Sequence, residues 1–145
     1  MTNNQTYEIY YGEYFFSTNP ERLQLDVIAG FLKQSYWAAT RPLNLIKRTL
    51  ETSLCFGVYH GSLQVGFARV VTDYASVAWL CDVFIDTPYR GRGLGKLLIQ
   101  TIVTHPDLQT VRRWTLNTRD AHELYRKFGF SELREPKYSM ERINS

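Results

Sequence analysis

The chain has 145 residues, 44% of them apolar or aromatic, with a formal net charge of +3. That is the length of one domain with material for a core, and ten Tyr, eight Phe and three Trp exclude a disordered chain. The mild basic excess is spread without a run of five, so no nucleic-acid partner is expected, and no apolar stretch of membrane-spanning length or N-terminal signal pattern occurs, so a soluble cytoplasmic protein without a membrane partner is expected.

No repeat, low-complexity tract or linker interrupts the sequence, so residues 1–145 are taken as one domain. Tyr7–Phe16 is aromatic-rich, and at least its second half reads as a strand, closed by the turn cluster Ser17-Thr18-Asn19-Pro20. Asp26 is the candidate N-cap of a helix carrying Val27, Ile28, Phe31 and Leu32 on one face. After a loop from Ser35 to Arg41, Pro42 opens a second helix with Leu43, Ile46 and Leu50 at helical spacing. Leu54–Tyr59 and Leu63–Val71 flank His60-Gly61-Ser62 and read as a hairpin. Asp73–Ser76 is the next turn, and Val77–Ile85 is an apolar run broken by one acid, Asp82; its weak polar alternation places it centrally in the sheet. Gly91–Gly95 opens a helix with Leu94, Leu97, Leu98 and Ile102 on one face, ended by His105-Pro106. Val111–Asn117 reads as a strand. Asp120 and Glu123 have capping-box spacing before a short helix closed by Gly129, and Phe130–Leu133 and Tyr138–Met140 read as final strands. The order is β-α-α-β-β-β-α-β-α-β-β, which predicts an α/β (α+β) fold: a mixed, mostly antiparallel sheet flanked by helices.

Cys55 and Cys81 lie in apolar strands without a CxxC pattern and read as two buried thiols. His60, His105 and His122 are scattered and form no zinc motif, so no metal is expected.

The informative segment runs from Val83 to Lys96. A buried strand leads into a turn holding Gly91, Gly93 and Gly95, and the turn opens an amphipathic helix. Glycines let backbone N–H groups approach a ligand, and a helix N-terminus adds unpaired donors and partial positive charge. Arg90, Arg92 and Lys96 add full charges, so a pyrophosphate is the expected guest. The spacing is neither Walker A nor GxGxxG. Arg90-x-x-Gly93-x-Gly95 instead resembles the [Q/R]-x-x-G-x-[G/A] motif of the GNAT superfamily of N-acetyltransferases. Downstream, Ala121-x-x-Leu124-Tyr125-x-x-x-Gly129-Phe130 resembles that family's closing stretch. The likeness covers about residues 53 to 140; residues 1 to 52 match only in element order.

The resemblance implies a GNAT-like fold and acetyl transfer from acetyl-CoA, as cosubstrate, to a primary amine of a small molecule or peptide. It implies that the backbone of Val83, Phe84 and Ile85 pairs with the pantetheine arm, and that Arg90 and the segment Gly91, Arg92, Gly93, Leu94, Gly95 and Lys96 holds the pyrophosphate. Tyr125 matches the residue such enzymes use to protonate the departing thiolate; as a bare sequence feature it also reads as an aromatic packed on a short helix. Two positions depart from the pattern. Trp79 stands where many relatives place a Glu base, and Thr118 where relatives often carry an Asn touching the cofactor arm. Asp82 is then either a base or amine anchor, or a structural acid paired with an Arg. Asp120 and His122 are rivals for the base, read first as a helix cap and a solvated residue. By resemblance the loop with Tyr36 and Trp37 lines the acceptor site, an apolar or cation-binding wall; the alternative is a pair that plugs the core. Arg41 is available to a carboxylate. A non-catalytic acyl-CoA-binding module is the competing reading. Homodimers are common in the family, and the sequence leaves the assembly open.

Overall fold

The structure is a computed structural model that describes residues 6–144. Its first strand region is a hairpin rather than one strand: β1 (Glu8–Tyr11) and β2 (Tyr14–Ser17) meet at Gly12, whose φ of +59° supplies the left-handed turn residue that a two-residue hairpin loop needs. After α1 (Leu25–Lys33) and α2 (Leu43–Thr52) come β3 (Leu54–His60), β4 (Leu63–Thr72) and β5 (Val77–Ile85). Then follow α3 (Leu94–Val103), β6 (Arg113–Thr115) and α4 (His122–Arg126). The six strands form one sheet in chain order, antiparallel throughout except for the parallel pair β5–β6.

Both faces of the sheet are packed. On one, α3 buries Leu94, Leu98, Ile99 and Ile102 against Val58, Val65, Val70, Ala78 and Leu80. On the other, α1 and α2 bring Ile28, Phe31, Leu32 and Ile46 onto Cys55, Phe67 and Phe84. Each large side chain taken fully from water contributes about 1.5–3 kcal/mol, so the α3 row alone anchors the helix whose first turn carries the glycines.

Four local expectations are corrected. The segment after α4 forms no strand among the described residues; it holds only a 3-10 turn at Pro136–Tyr138, and Tyr138 and Met140 are exposed. The run from Ser131 is polar and interrupted by Pro136, which cannot donate to a ladder, and β6, three residues long, offers little edge to extend. Asp26 does not cap α1: the helix starts at Leu25, and its entry is fixed by Gln24 and the fully buried Gln64, each backbone N–H donating to the other's side-chain oxygen (2.9 and 3.2 Å). Asp26 sits in the first turn, where its charge meets the positive end of the helix dipole. Asp120 does not cap α4 either. The Thr118 hydroxyl accepts from the Ala121 N–H (3.0 Å), while Asp120 is exposed beside Arg119. Of the two thiols expected to be buried, only Cys55 is; burial pushes it up to about 12, so it stays a thiol, whereas Cys81 is half-buried.

Candidate active site

The site begins with a fault in β5. Between the pairs Phe67↔Phe84 and Arg69↔Cys81, two steps along β4 are matched by three along β5, a β-bulge. Ala78 and Leu80 belong to the core under α3, yet Phe84 belongs to the core under α1, so even-numbered side chains change face across the bulge. Asp82 is the residue that absorbs it. Its φ is +53°, a left-handed conformation that Asp tolerates better than the β-branched residues around it.

The turned Asp82 side chain is only 2% exposed, and both its oxygens are engaged. Trp37 donates through Nε1 to Oδ1 (2.7 Å); Arg41 (2.8 Å) and Arg69 (2.6 Å) donate to Oδ2. Burial pushes this carboxyl up, but the hydrogen bonds and charges of Arg41 and Arg69 outweigh it, and the net displacement is downward. The loop between α1 and α2 therefore hangs from the bulge by two of its residues. The Trp37 ring stays 42% exposed, with its edge-on neighbour Tyr36 5.1 Å away.

Beyond the bulge the sheet opens. β6 pairs with β5 only at Val77, Ala78 and Trp79, so the stretch through Val83, Phe84 and Ile85 has no strand on that side among the described residues. A strand edge of this kind pairs readily with an extended amide-bearing chain. The edge leads through a 3-10 turn at Thr87–Tyr89 into the glycine segment. Gly91 and Gly93 both have φ of +79°, and a Cβ at either would meet nothing within 4 Å: the conformation demands glycine and the space outside is open. Gly93 is the N-cap of α3, and the first turn's N–H groups precede the first helical bond, from Leu97 N–H to Gly93 O at 3.1 Å. Arg90 donates to the Ile85 carbonyl (2.8 Å) and covers the Phe84 ring; Arg92 donates to the Tyr14 hydroxyl (2.9 Å). Both guanidiniums are thus held in place around the turn, and Lys96 is exposed on the first turn of α3. Open glycines, free helix donors and three cations fit a pyrophosphate.

On the β6 side, Leu116, Thr118, Tyr125 and Phe130 help line a cavity of about 260 Å³. Tyr125 is 8% exposed and packs edge-on to Phe130 (5.9 Å). Burial, with Tyr36 and Asp120 nearby, pushes its phenol up to about 12, so it carries its proton at neutral pH. Tyr36 reaches toward the same place from the opposite wall. Its hydroxyl accepts from the Arg119 N–H (2.9 Å), and the Arg119 guanidinium lies 3.8 Å from its ring centroid. The structure thus brings Tyr36, Trp37 and Asp82 together on one wall and Thr118 and Tyr125 on the other. His122 and Asp120 are exposed at the start of α4.

A model of the acetyltransferase (GNAT) domain matches residues 51–132. The chain belongs to the GNAT acetyltransferase family. A protein of Gibberella zeae assigned as an acetyltransferase is 30% identical over 148 residues, covering 86% of this chain and 82% of the relative. A spermine/spermidine N(1)-acetyltransferase of Bacillus subtilis is 31% identical over 99 residues, 60% of this chain and 65% of that protein. The crystal structure of a GNAT-family protein from Xanthomonas campestris pv. campestris superposes with a TM-score of 0.88 at 42% identity, covering 92% of this chain and 94% of that one. The family uses acetyl-CoA as acetyl donor.

Sequence reasoning missed Arg69 and Arg119. An Arg inside the apolar run of β4 is itself a signal that a buried acid stands opposite, and Asp82 was the one acid in the neighbouring strand. Nothing local marks Arg119, whose partner Tyr36 lies 83 residues away.

Proposed function

We propose that this chain transfers an acetyl group from acetyl-CoA to a primary amine by direct attack of the amine on the thioester. The observation that carries the reading is the open edge of β5 leading straight into the Gly91–Gly95 turn, with the protonated phenol of Tyr125 beside it. The edge through Val83–Ile85 would hold the amide-bearing arm of the cofactor, the glycine turn with Arg90, Arg92 and Lys96 its pyrophosphate, and Thr118 would touch the arm. Bound acetyl-CoA supplies the activated thioester. The amine forms the new C–N bond and loses its proton to solvent; the C–S bond breaks, and Tyr125 gives its proton to sulfur.

Asp82 serves this chemistry as an anchor and not as the base. A carboxylate lowered below its ordinary range and saturated by three donors is a weak proton acceptor. Its role is to fix Trp37 and Arg41, and so the acceptor loop, against the bulge beside the thioester. With Trp79 in the place of a carboxylate, the amine must reach the site neutral, and flanking arginines favour the uncharged form. The reading is tested by free-CoA release when amines are added to enzyme and acetyl-CoA. Release above the hydrolytic background supports it; binding of acetyl-CoA without release assigns a non-catalytic acyl-CoA-binding module instead.

A further inference from the structure

The open face of the sheet next to the bulge has a composition of its own. Val71, Val77 and Trp79 are 43%, 50% and 50% exposed, and Val71 pairs directly with Trp79 across β4 and β5. α1 and α2 cover Phe67 and Phe84 farther along the sheet and leave this end bare. Parallel neighbours share a face, so Arg113, paired with Val77, stands on the same side, and it is exposed without an acidic partner among the described residues. Arg41 and Arg69 share the single carboxylate of Asp82 at the head of the face. Arg119 stands by Tyr36, near the exposed Asp120 at 4.0 Å. Four guanidiniums therefore border an apolar floor against three carboxylates: the buried Asp82, Asp120, and Asp73, whose Oδ1 is taken up by the Val77 N–H (3.2 Å) and its own turn.

The geometry points to an acceptor that carries its own carboxylate on an apolar body: the body lies on Trp79 and its valine neighbours, the carboxylate meets Arg113, and the amine faces the bulge. This rests on the acetyl-transfer reading and names its substrate class. A polyamine brings two or more further positive charges onto a face that is already net positive, and like charges in proximity repel. A carboxylate-bearing amine reverses that sign and gains a charge-assisted hydrogen bond. Arg41 and Arg69, at the bulge where the amine arrives, favour its neutral form, which the absence of a carboxylate at position 79 requires.

Arg113 stands beside Val77, five strand residues or roughly 16 Å from the bulge, so the test uses an acceptor whose amine and carboxylate are well apart. It compares the apolar tripeptide phenylalanyl-valyl-valine, its C-terminal amide, and spermidine in free-CoA release, with acetyl-CoA binding followed separately by the rise in melting temperature. The expected kcat/KM for the tripeptide exceeds that for its amide by about tenfold, the usual worth of one charge-assisted contact, with spermidine below both. Arg113→Gln should bring the tripeptide to amide ratio close to one. If acetyl-CoA raises the melting temperature and spermidine or the amide releases CoA as well as the free tripeptide does, the inferred class is wrong and acetyl transfer stands; if acetyl-CoA binds and none of the three releases CoA, both readings fall. If acetyl-CoA produces no rise, the acetyl-transfer reading falls and takes this inference with it.

Discussion

The turn from Ile85 to Lys96 and the face around Trp79 lie at opposite ends of one strand and are built by different means. The turn works through backbone: two glycines at φ of +79°, a helix N-terminus and an unpaired strand edge, all within a dozen consecutive residues. The face works through side chains gathered from four separate stretches, with Trp37 and Arg41 from a loop, Arg69 from β4, Asp82 from β5 and Arg119 from beyond β6. On the proposed reading the contiguous backbone device takes what the family shares, a pyrophosphate-bearing cofactor. The assembled side-chain device is free to vary, and on the same reading it is where the acceptor is selected.

Changes at the two ends should therefore fail in different ways, and Tyr125, between them, should fail in a third. Tyr125→Phe keeps the ring packing on Phe130 and removes the proton donor. Single-turnover rates should fall on the order of 10²–10⁴-fold, about 3–5 kcal/mol of barrier, with acetyl-CoA affinity changed by no more than a few-fold. A parent rate in single-turnover conditions with a working acceptor would make Tyr125 a packing residue only. At the cofactor end, Gly93→Asp places a carboxylate where phosphate is expected and strains a left-handed position. It should weaken acetyl-CoA about 100-fold: at a concentration that stabilises the parent by about 2.7 kcal/mol, the variant's gain in melting temperature should nearly vanish. An equal rise in both proteins would separate the turn from cofactor binding.

At the acceptor end, Asp82→Asn should leave cofactor affinity near the parent's, raise KM for the amine and lower stability. It strips the shared counter-charge from Arg41 and Arg69, whose side chains are only 18% and 13% exposed. Breaking such a pair costs about 3 kcal/mol, the low end for buried ion pairs because both arginines keep an open side, which lowers Tm by roughly 6–12 °C. The pH dependence fixes the sign. The folded-state pKa of Asp82 is depressed, so its stabilisation is complete above the ordinary carboxylate pKa and is lost as pH falls through the lower folded value. The gap between parent and Asp82→Asn should thus be full at pH 7 and close in strong acid; a gap independent of pH would mean that the charge plays no part.

The contrast also explains what could be read from the chain alone. The hairpin β3–β4, helix α3 and the glycine turn were legible because periodicity, turn residues and motif spacing are local signals. The bulge was not. Val77–Ile85 reads as an unbroken apolar strand, and only the register against β4 shows that Asp82 is turned onto the other face. That hidden turn is not visible in the sequence; in the fold it sets the Asp82 carboxylate against Arg41 and Arg69. The final strands were over-read for the converse reason. Phe130–Leu133 and Tyr138–Met140 read as short strands, but Pro136 and the short β6 edge give them nothing to pair with.

Hydrogen exchange of the backbone amides, with and without acetyl-CoA, tests the central claim most directly, because the proposed cofactor site is built chiefly of backbone. The account predicts added protection confined to the β5 edge through Val83–Ile85 and to the amides of Gly91–Lys96, with little change at Val71, Val77 and Trp79. Protection concentrated on the Trp79 face, or none at either place at saturating acetyl-CoA, would contradict it.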